Sequence, residues 1–267
     1  MFDSGVGGLT VLHECLVSLP EEDFLYLGDT AMFPYGSRDR ELLRERIAAI
    51  SELLLERGAK LLVIACNTAT SVGLDVAREV AARRGVEVVP VVEPQAEIAA
   101  AITDNGRVGV LATPNTVASG AYRRALEAEG RELEVIEVEA PDLAPFIQDG
   151  STFDEDTMAM ARAYCAPLKR AEVDTLILGC THYPLVAPML QRILGRDVRL
   201  VSGGHAVAAA VQRTLARAGL GHERDGEGDY RFLCTDDAES FQSLGTRFLQ
   251  MPLGEIERVE VIDPAAI

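Results

Sequence analysis

Cys66 and Cys180 are the residues on which chemistry is most readily built. Cys66 is followed by Asn67 and Thr68, and Cys180 by Thr181 and His182, so each thiol stands beside side chains able to hold carboxylate oxygens. Each also closes a short apolar run, 61–65 and 175–178, of the kind that forms a buried strand. At a strand-to-helix turn the helix dipole favours the thiolate, the reactive form of cysteine. An isolated cysteine is usually a small core residue, and Cys15, Cys165 and Cys234 are read that way. Two matched turns, 180 − 66 = 114 residues apart, are read as functional.

Other chemistries fit less well. Cys180 with His182 has poor zinc-ligand spacing without a second close pair, so no metal is expected. A thiol hydrolase would use one cysteine as nucleophile and His182 as base, which leaves the matched cysteine without a task. A two-domain binding protein that closes on an acidic ligand without reacting stays open as an alternative. His13, His205 and His222 read as structural or exposed. The run Asp3-Ser4-Gly5-Val6-Gly7-Gly8 offers backbone N–H groups to an anion, or simply caps a helix through Asp3 or Ser4. Thr10 stands where a dinucleotide fingerprint needs its third glycine, and no Gly-Lys-Ser/Thr follows, so no nucleotide cofactor is expected.

To position these residues the chain offers strands at 24–27, 61–65 and 86–92, then a second series at 108–111, 133–138, 175–178 and 198–201, with helical spacing between them. Alternating strands and helices make parallel sheets. The clearest helix, 39–57, sets Leu42, Leu43, Ile47, Ile50, Leu53 and Leu54 on one stripe, and Gly58 stops it. The repeat predicts an α/β fold of two pseudo-symmetric open parallel-sheet domains with helices on both faces. One domain is 1–92 plus 207–267 and the other 93–206, with breaks near Glu93-Pro94 and Ser202-Gly203-Gly204. After a helix from Ala206 and a Gly-rich acidic loop at 221–229, a further strand and helix should return to the first domain. Open parallel sheets bind ligands beyond the carboxyl ends of their strands, so two like domains would face two thiols across one inter-domain cleft.

The bulk numbers agree with this. At 267 residues, 48% hydrophobic and 25% charged, the chain can bury one large core or two modest ones. Its 25 basic against 42 acidic side chains give 25 − 42 = −17, which repels nucleic acid and anionic membrane surfaces. The same charge does not steer an acidic metabolite inward, so an anion site must use local donors. No apolar run approaches the roughly 20 residues that span a bilayer, and the first residues begin no signal peptide. Five cysteines, odd in number and without a Cys-x-x-Cys pair, suit reduced thiols, and a cytoplasmic protein is expected.

Five segments together resemble the bacterial glutamate racemases of the Asp/Glu racemase superfamily: 2–10 (Phe-Asp-Ser-Gly-Val-Gly-Gly-Leu-Thr), 28–30 (Gly-Asp-Thr), 34–36 (Pro-Tyr-Gly), 65–69 (Ala-Cys-Asn-Thr-Ala) and 178–184 (Leu-Gly-Cys-Thr-His-Tyr-Pro). The resemblance covers nearly the whole chain. It implies a cofactor-independent racemase for free glutamate, with Cys66 and Cys180 as the acid/base pair assisted by Asp3 and His182. It further implies substrate contacts from Asp3, Ser4, Tyr35, Gly36, Asn67, Thr68, Thr181 and His182, with hydroxyls added by Thr113 and Thr116. The product D-glutamate would feed peptidoglycan synthesis, and a homodimer is left open. Three positions depart from the family pattern: Met32 stands where Arg is common, Gln148 where Glu is usual, and Ser202 where Asp is usual. A parallel sheet's first strand should precede Asp3, which leads one to expect residues upstream of Met1.

Overall fold

The computed structural model describes residues 1–150, 154–222 and 226–261. Among the described residues ten strands alternate with helices: β1 Phe2–Asp3, β2 Phe24–Gly28, β3 Leu61–Ile64, β4 Glu87–Pro90, β5 Arg107–Ala112, β6 Glu134–Glu139, β7 Thr175–Gly179, β8 Arg199–Val201, β9 Tyr230–Cys234 and β10 Ile256–Arg258. They form two sheets, ordered β10-β9-β2-β1-β3-β4 and β6-β5-β7-β8, and every described pairing is parallel. The fold is therefore α/β with two parallel sheets.

The two sheets share one winding. Each places its second strand outside its first, then its third and fourth on the other side, and the tail strands β9 and β10 extend only the first sheet. In such an order the crevice opens between the first and third strands. Cys66 follows β3 and Cys180 follows β7, the third strands of their sheets, while Asp3 ends β1 and Thr113 follows β5, the first strands. The same crevice is thus furnished twice, with a carboxylate beside one thiol and a hydroxyl beside the other.

Alternation along the strands buries both faces of the first sheet. Phe2, Leu27, Leu62 and Ile64 join one core cluster with Leu43, Ile47, Ile50 and Leu54 of the helix Arg40–Glu56. Tyr26 and Val63 join the other, with Leu9 and Leu12 of helix Leu9–Ser18 and Val207 and Val211 of helix Gly203–Ala218. That second cluster continues without a break into Val108, Val110 and Leu176 of the second sheet. Each such fully buried side chain contributes roughly 1.5–3 kcal/mol of transfer free energy, so the two sheets share a substantial apolar seam.

Element boundaries differ from the sequence reading where turn chemistry intervenes. The run 86–92 looked like one strand, but β4 ends at Pro90 and the helix Val92–Ile102 begins two residues later, with Pro94 in its first turn, where a missing N–H costs nothing. The long helix runs Arg40–Glu56, with Asp39 accepting from the Leu42 N–H at its start and Gly58 at φ 88° after its end. Residues 223–225 of the acidic loop lie outside those described. Among the described residues no helix is long and apolar enough to cross a membrane.

Candidate active site

The carboxyl ends of the two sheets meet around a small cavity. Ser4, Tyr35, Gly36, Cys66, Asn67, Thr68, Thr113, Cys180, Thr181 and His182 line it together with Phe33, Pro34 and Ala144. Asp3 and Thr116 stand one layer behind, Asp3 beside Cys66 and Thr116 against Thr113 at 3.0 Å between hydroxyls. All twelve residues singled out from the sequence therefore converge on one place, and ten of them on one surface. The cavity measures about 20 Å³, room for little more than one water.

Cys66 caps the helix Asn67–Ala82. Its sulfur accepts from the Ala69 N–H at 3.4 Å and from the Ser4 backbone, a placement that favours negative charge. Burial works against this: it pushes the Cys66 thiol well above its ordinary value, and the neighbouring Asp3 carboxylate adds to the rise. Asp3 is itself completely buried, and burial raises its pKa, opposed by hydrogen bonds from Gly8, Cys66, Ser4 and Gly5. A carboxylate so raised is a better proton acceptor than an ordinary one.

The glycine-rich loop proves to serve its own aspartate. The Gly8 and Gly5 N–H groups donate to Asp3 Oδ2 at 2.9 and 3.3 Å, so the donors that looked available to an external anion are occupied. The glycines are needed for close approach. A Cβ on Gly7 would lie 2.3 Å from Thr181 Oγ1 and 2.5 Å from His182 Nδ1, and one on Gly8 would lie 2.5 Å from Asp3 Cβ.

Cys180 has a different partner. Its sulfur lies 3.9 Å from His182 Nδ1, and His182 Nε2 lies 3.0 Å from Gln148 Oε1. With the amide oxygen as acceptor, Nε2 carries the ring proton and Nδ1 turns its lone pair to the thiol. The imidazole is packed between Phe33 and Phe248, at centroid distances of 5.3 and 5.1 Å. Burial holds it down to about 3, so it is neutral at working pH. Burial also pushes the Cys180 thiol up to about 12, against hydrogen bonds from the His182 backbone and Thr181. Cys180 thus rests protonated.

Hydroxyls and amides bridge the two sheets around the thiols. Thr68 Oγ1 lies 2.9 Å from Thr113 Oγ1 and 3.4 Å from Thr116 Oγ1. The Tyr35 hydroxyl is turned away, donating to Asp29 Oδ2 at 2.5 Å, and Arg46 and Thr235 complete that buried knot. Tyr35 and Gly36 therefore present ring and backbone to the cavity. Asn115 fixes their loop by donating to the carbonyls of Tyr35 at 3.0 Å and Arg38 at 2.8 Å.

Sequence reasoning missed Gln95, Tyr122, Phe33 and Phe248. Gln95 carried a signal, a polar residue on the stripe formed by Val92, Ala96 and Ala99 that is buried in the helix Val92–Ile102. Phe248 carried none, since only tertiary packing brings the helix Ala238–Leu249 to His182. Among the described residues no group of three or more His, Cys, Asp or Glu side chains converges as a metal site.

Residues 14–211 match the Asp/Glu/hydantoin racemase family. The chain is 41% identical to the glutamate racemase of Corynebacterium kroppenstedtii, over 97% of this chain and 96% of that one. It superposes on the crystal structure of glutamate racemase isoform RacE1 from Bacillus anthracis with a TM-score of 0.92 at 32% identity, covering 97% and 96% of the two chains. The glutamate racemase from Francisella tularensis solved in complex with D-glutamate gives a TM-score of 0.90 at 30% identity, with the same coverage.

Proposed function

The chain belongs to the Asp/Glu/hydantoin racemase family, and from that premise and its cleft we propose that Cys66 and Cys180 carry out a two-base racemisation of glutamate. It interconverts L-glutamate and D-glutamate. The observation that carries the mechanism is the lining of one cavity by two thiols delivered by equivalent strands of two like sheets. A single-cysteine hydrolase gives the second thiol no role.

The α-hydrogen of an amino acid is very weakly acidic, and its removal sends charge into the adjacent carboxylate. Without an electron sink, preorganised hydroxyls and N–H groups must hold that charge, each such donor being worth roughly 100- to 1000-fold in rate. Thr68, Thr113 and Thr181, with Ser4, Asn67 and His182, line the space where it develops.

On one face a thiolate takes the α-proton, and on the other a thiol gives its proton to the α-carbon. The pair ends with its protonation reversed, the form that acts on the opposite enantiomer, and proton exchange with water restores the form that acts on the first. Asp3 assists Cys66 as a buried carboxylate able to receive the thiol proton, and neutral His182 assists Cys180 through Nδ1. The substrate ammonium brings the positive charge that offsets burial and draws a thiolate into being.

The two sheets are read as cores of domains 1–92 plus 207–267 and 93–206, which part to admit substrate. By family resemblance the D-glutamate is supplied, in the cytoplasm, to peptidoglycan synthesis.

The test is isotope entry from deuterated water at low conversion, starting from each enantiomer. Product should carry deuterium from the first turnover while recovered substrate stays largely protiated. Cys66→Ser and Cys180→Ser should each lower kcat by at least about 1000-fold, because a serine hydroxyl is too weak an acid to replace the missing partner. Early deuterium in recovered substrate equal to that in product, or ready racemisation by either variant, would reject the mechanism.

A further inference from the structure

Gln95 is completely buried between the two sheets, in the first turns of the helix Val92–Ile102. Its carboxamide is fully engaged. Oε1 accepts from Asn67 Nδ2 at 2.9 Å and from the Tyr122 hydroxyl at 2.5 Å, while Nε2 donates to the carbonyls of Leu178 at 3.2 Å and Val201 at 3.3 Å. Asn67 Nδ2 also donates to the Tyr122 oxygen at 2.6 Å, closing a triangle in which each hydrogen has one direction to point. An amide has two lone pairs and two N–H groups, and all four are used here.

The partners explain the arrangement. Asn67 follows Cys66 in the first sheet, and Leu178 is two residues before Cys180 in the second. Two backbone carbonyls fix the orientation of the amide, and the amide in turn fixes Asn67. Neither leucine, methionine nor glutamate can make the same four bonds. A buried polar group is expensive unless matched, and an apolar residue would fit the stripe on which Gln95 sits.

We propose that Gln95 is a positioning residue that ties the Cys66 turn of one sheet to the strand carrying Cys180 in the other, and so sets the registry of the two thiols across the substrate. This rests on the two-thiol reading given above. Proton removal needs one thiol in place, whereas inversion needs both, so loosening the strut should separate the two events.

The experiment measures inversion, deuterium in recovered substrate, and melting temperature for Gln95→Met in deuterated water, from both enantiomers. Inversion should fall about 10- to 100-fold, the scale of a misplaced catalytic group. The ratio of exchange without inversion to inversion should rise several-fold, because the first thiol still abstracts, its S–H exchanges with deuterated water while the misplaced second thiol fails to deliver, and it then returns deuterium to the same face. A merely structural role would lower both events together, so an unchanged ratio overturns the proposal, as does unchanged inversion. If Gln95→Met does not fold, Tyr122→Phe, which removes one bond from the triangle, is read in the same way. A smaller rise in the ratio supports the strut, and an unchanged ratio overturns it. Failure of the two-thiol reading would show separately, as racemisation by Cys66→Ser or Cys180→Ser.

Discussion

At the scale of single residues, the partner of His182 decides how Cys180 behaves. Burial holds the imidazole down to about 3, and Gln148 accepts its Nε2 proton without adding charge. Replacing that amide by a carboxylate favours the imidazolium, so Gln148→Glu should raise the His182 pKa. As pH falls through the raised value, Nδ1 becomes a donor and faces Cys180 with positive charge, which lowers the thiol from its value of about 12. Activity in the direction that uses Cys180 as base rises with pH as its thiolate forms. That limb of the kcat profile, measured in that direction, should therefore move to lower pH in Gln148→Glu, by about one unit or more. The limb belonging to Cys66 should stay where it is, since Cys66 is coupled to Asp3 instead. Profiles in both directions check this, and two unmoved limbs would speak against the His182–Gln148 link acting on Cys180.

At the scale of elements, the loop between β1 and the helix Leu9–Ser18 is shaped by approach across the cleft. Gly7→Ala would drive a methyl into Thr181 and His182, neither of which can retreat, because Thr181 O accepts from Thr10 and the imidazole is held between two phenylalanines. It should lower kcat/KM by at least about 100-fold. The melting temperature should fall by up to about 10 °C, as expected for roughly 1–3 kcal/mol of overpacking, with the fold retained. Loss of folding in step with activity would show that the loop is structural only. The strand and helix series was legible because apolar runs and stripes repeat in the chain itself. So was the pair of thiols, through the matched turns at 66–68 and 180–182. What the glycine run does was not legible, since its donors turn inward to Asp3 and its missing side chains make room for residues about 175 positions away. Strand ends were legible only in part. Val91 and Val92 have strand composition, yet Pro94 and the core contacts of Val92, Ala96 and Ala99 give Val92 to a helix.

At the scale of the whole molecule, charge and closure both bear on how glutamate arrives. A net charge of −17 repels an anionic substrate at long range, and salt screens that repulsion. Raising ionic strength from roughly 0.01 to 0.15 M should raise kcat/KM about twofold while leaving kcat alone. A fall in kcat/KM would mean that local positive potential, not the overall charge, governs entry. The cavity of about 20 Å³ is far smaller than glutamate, so the walls of the cavity must move for binding, and the threonine cluster that bridges the two sheets is part of those walls. The two thiols there are unequally supported, one by an aspartate and the other by a histidine with an amide behind it. The two enantiomers, however, have identical free energies in water, so their equilibrium constant is one. Thermodynamics then ties the two directions together: kcat/KM from the L side must equal kcat/KM from the D side in this chain and in every active variant of it. The asymmetry of the supports can appear only as unequal kcat values matched by equally unequal KM values. A substitution at Asp3, His182 or Gln148 that speeds turnover of one enantiomer relative to the other must weaken its apparent affinity by the same factor.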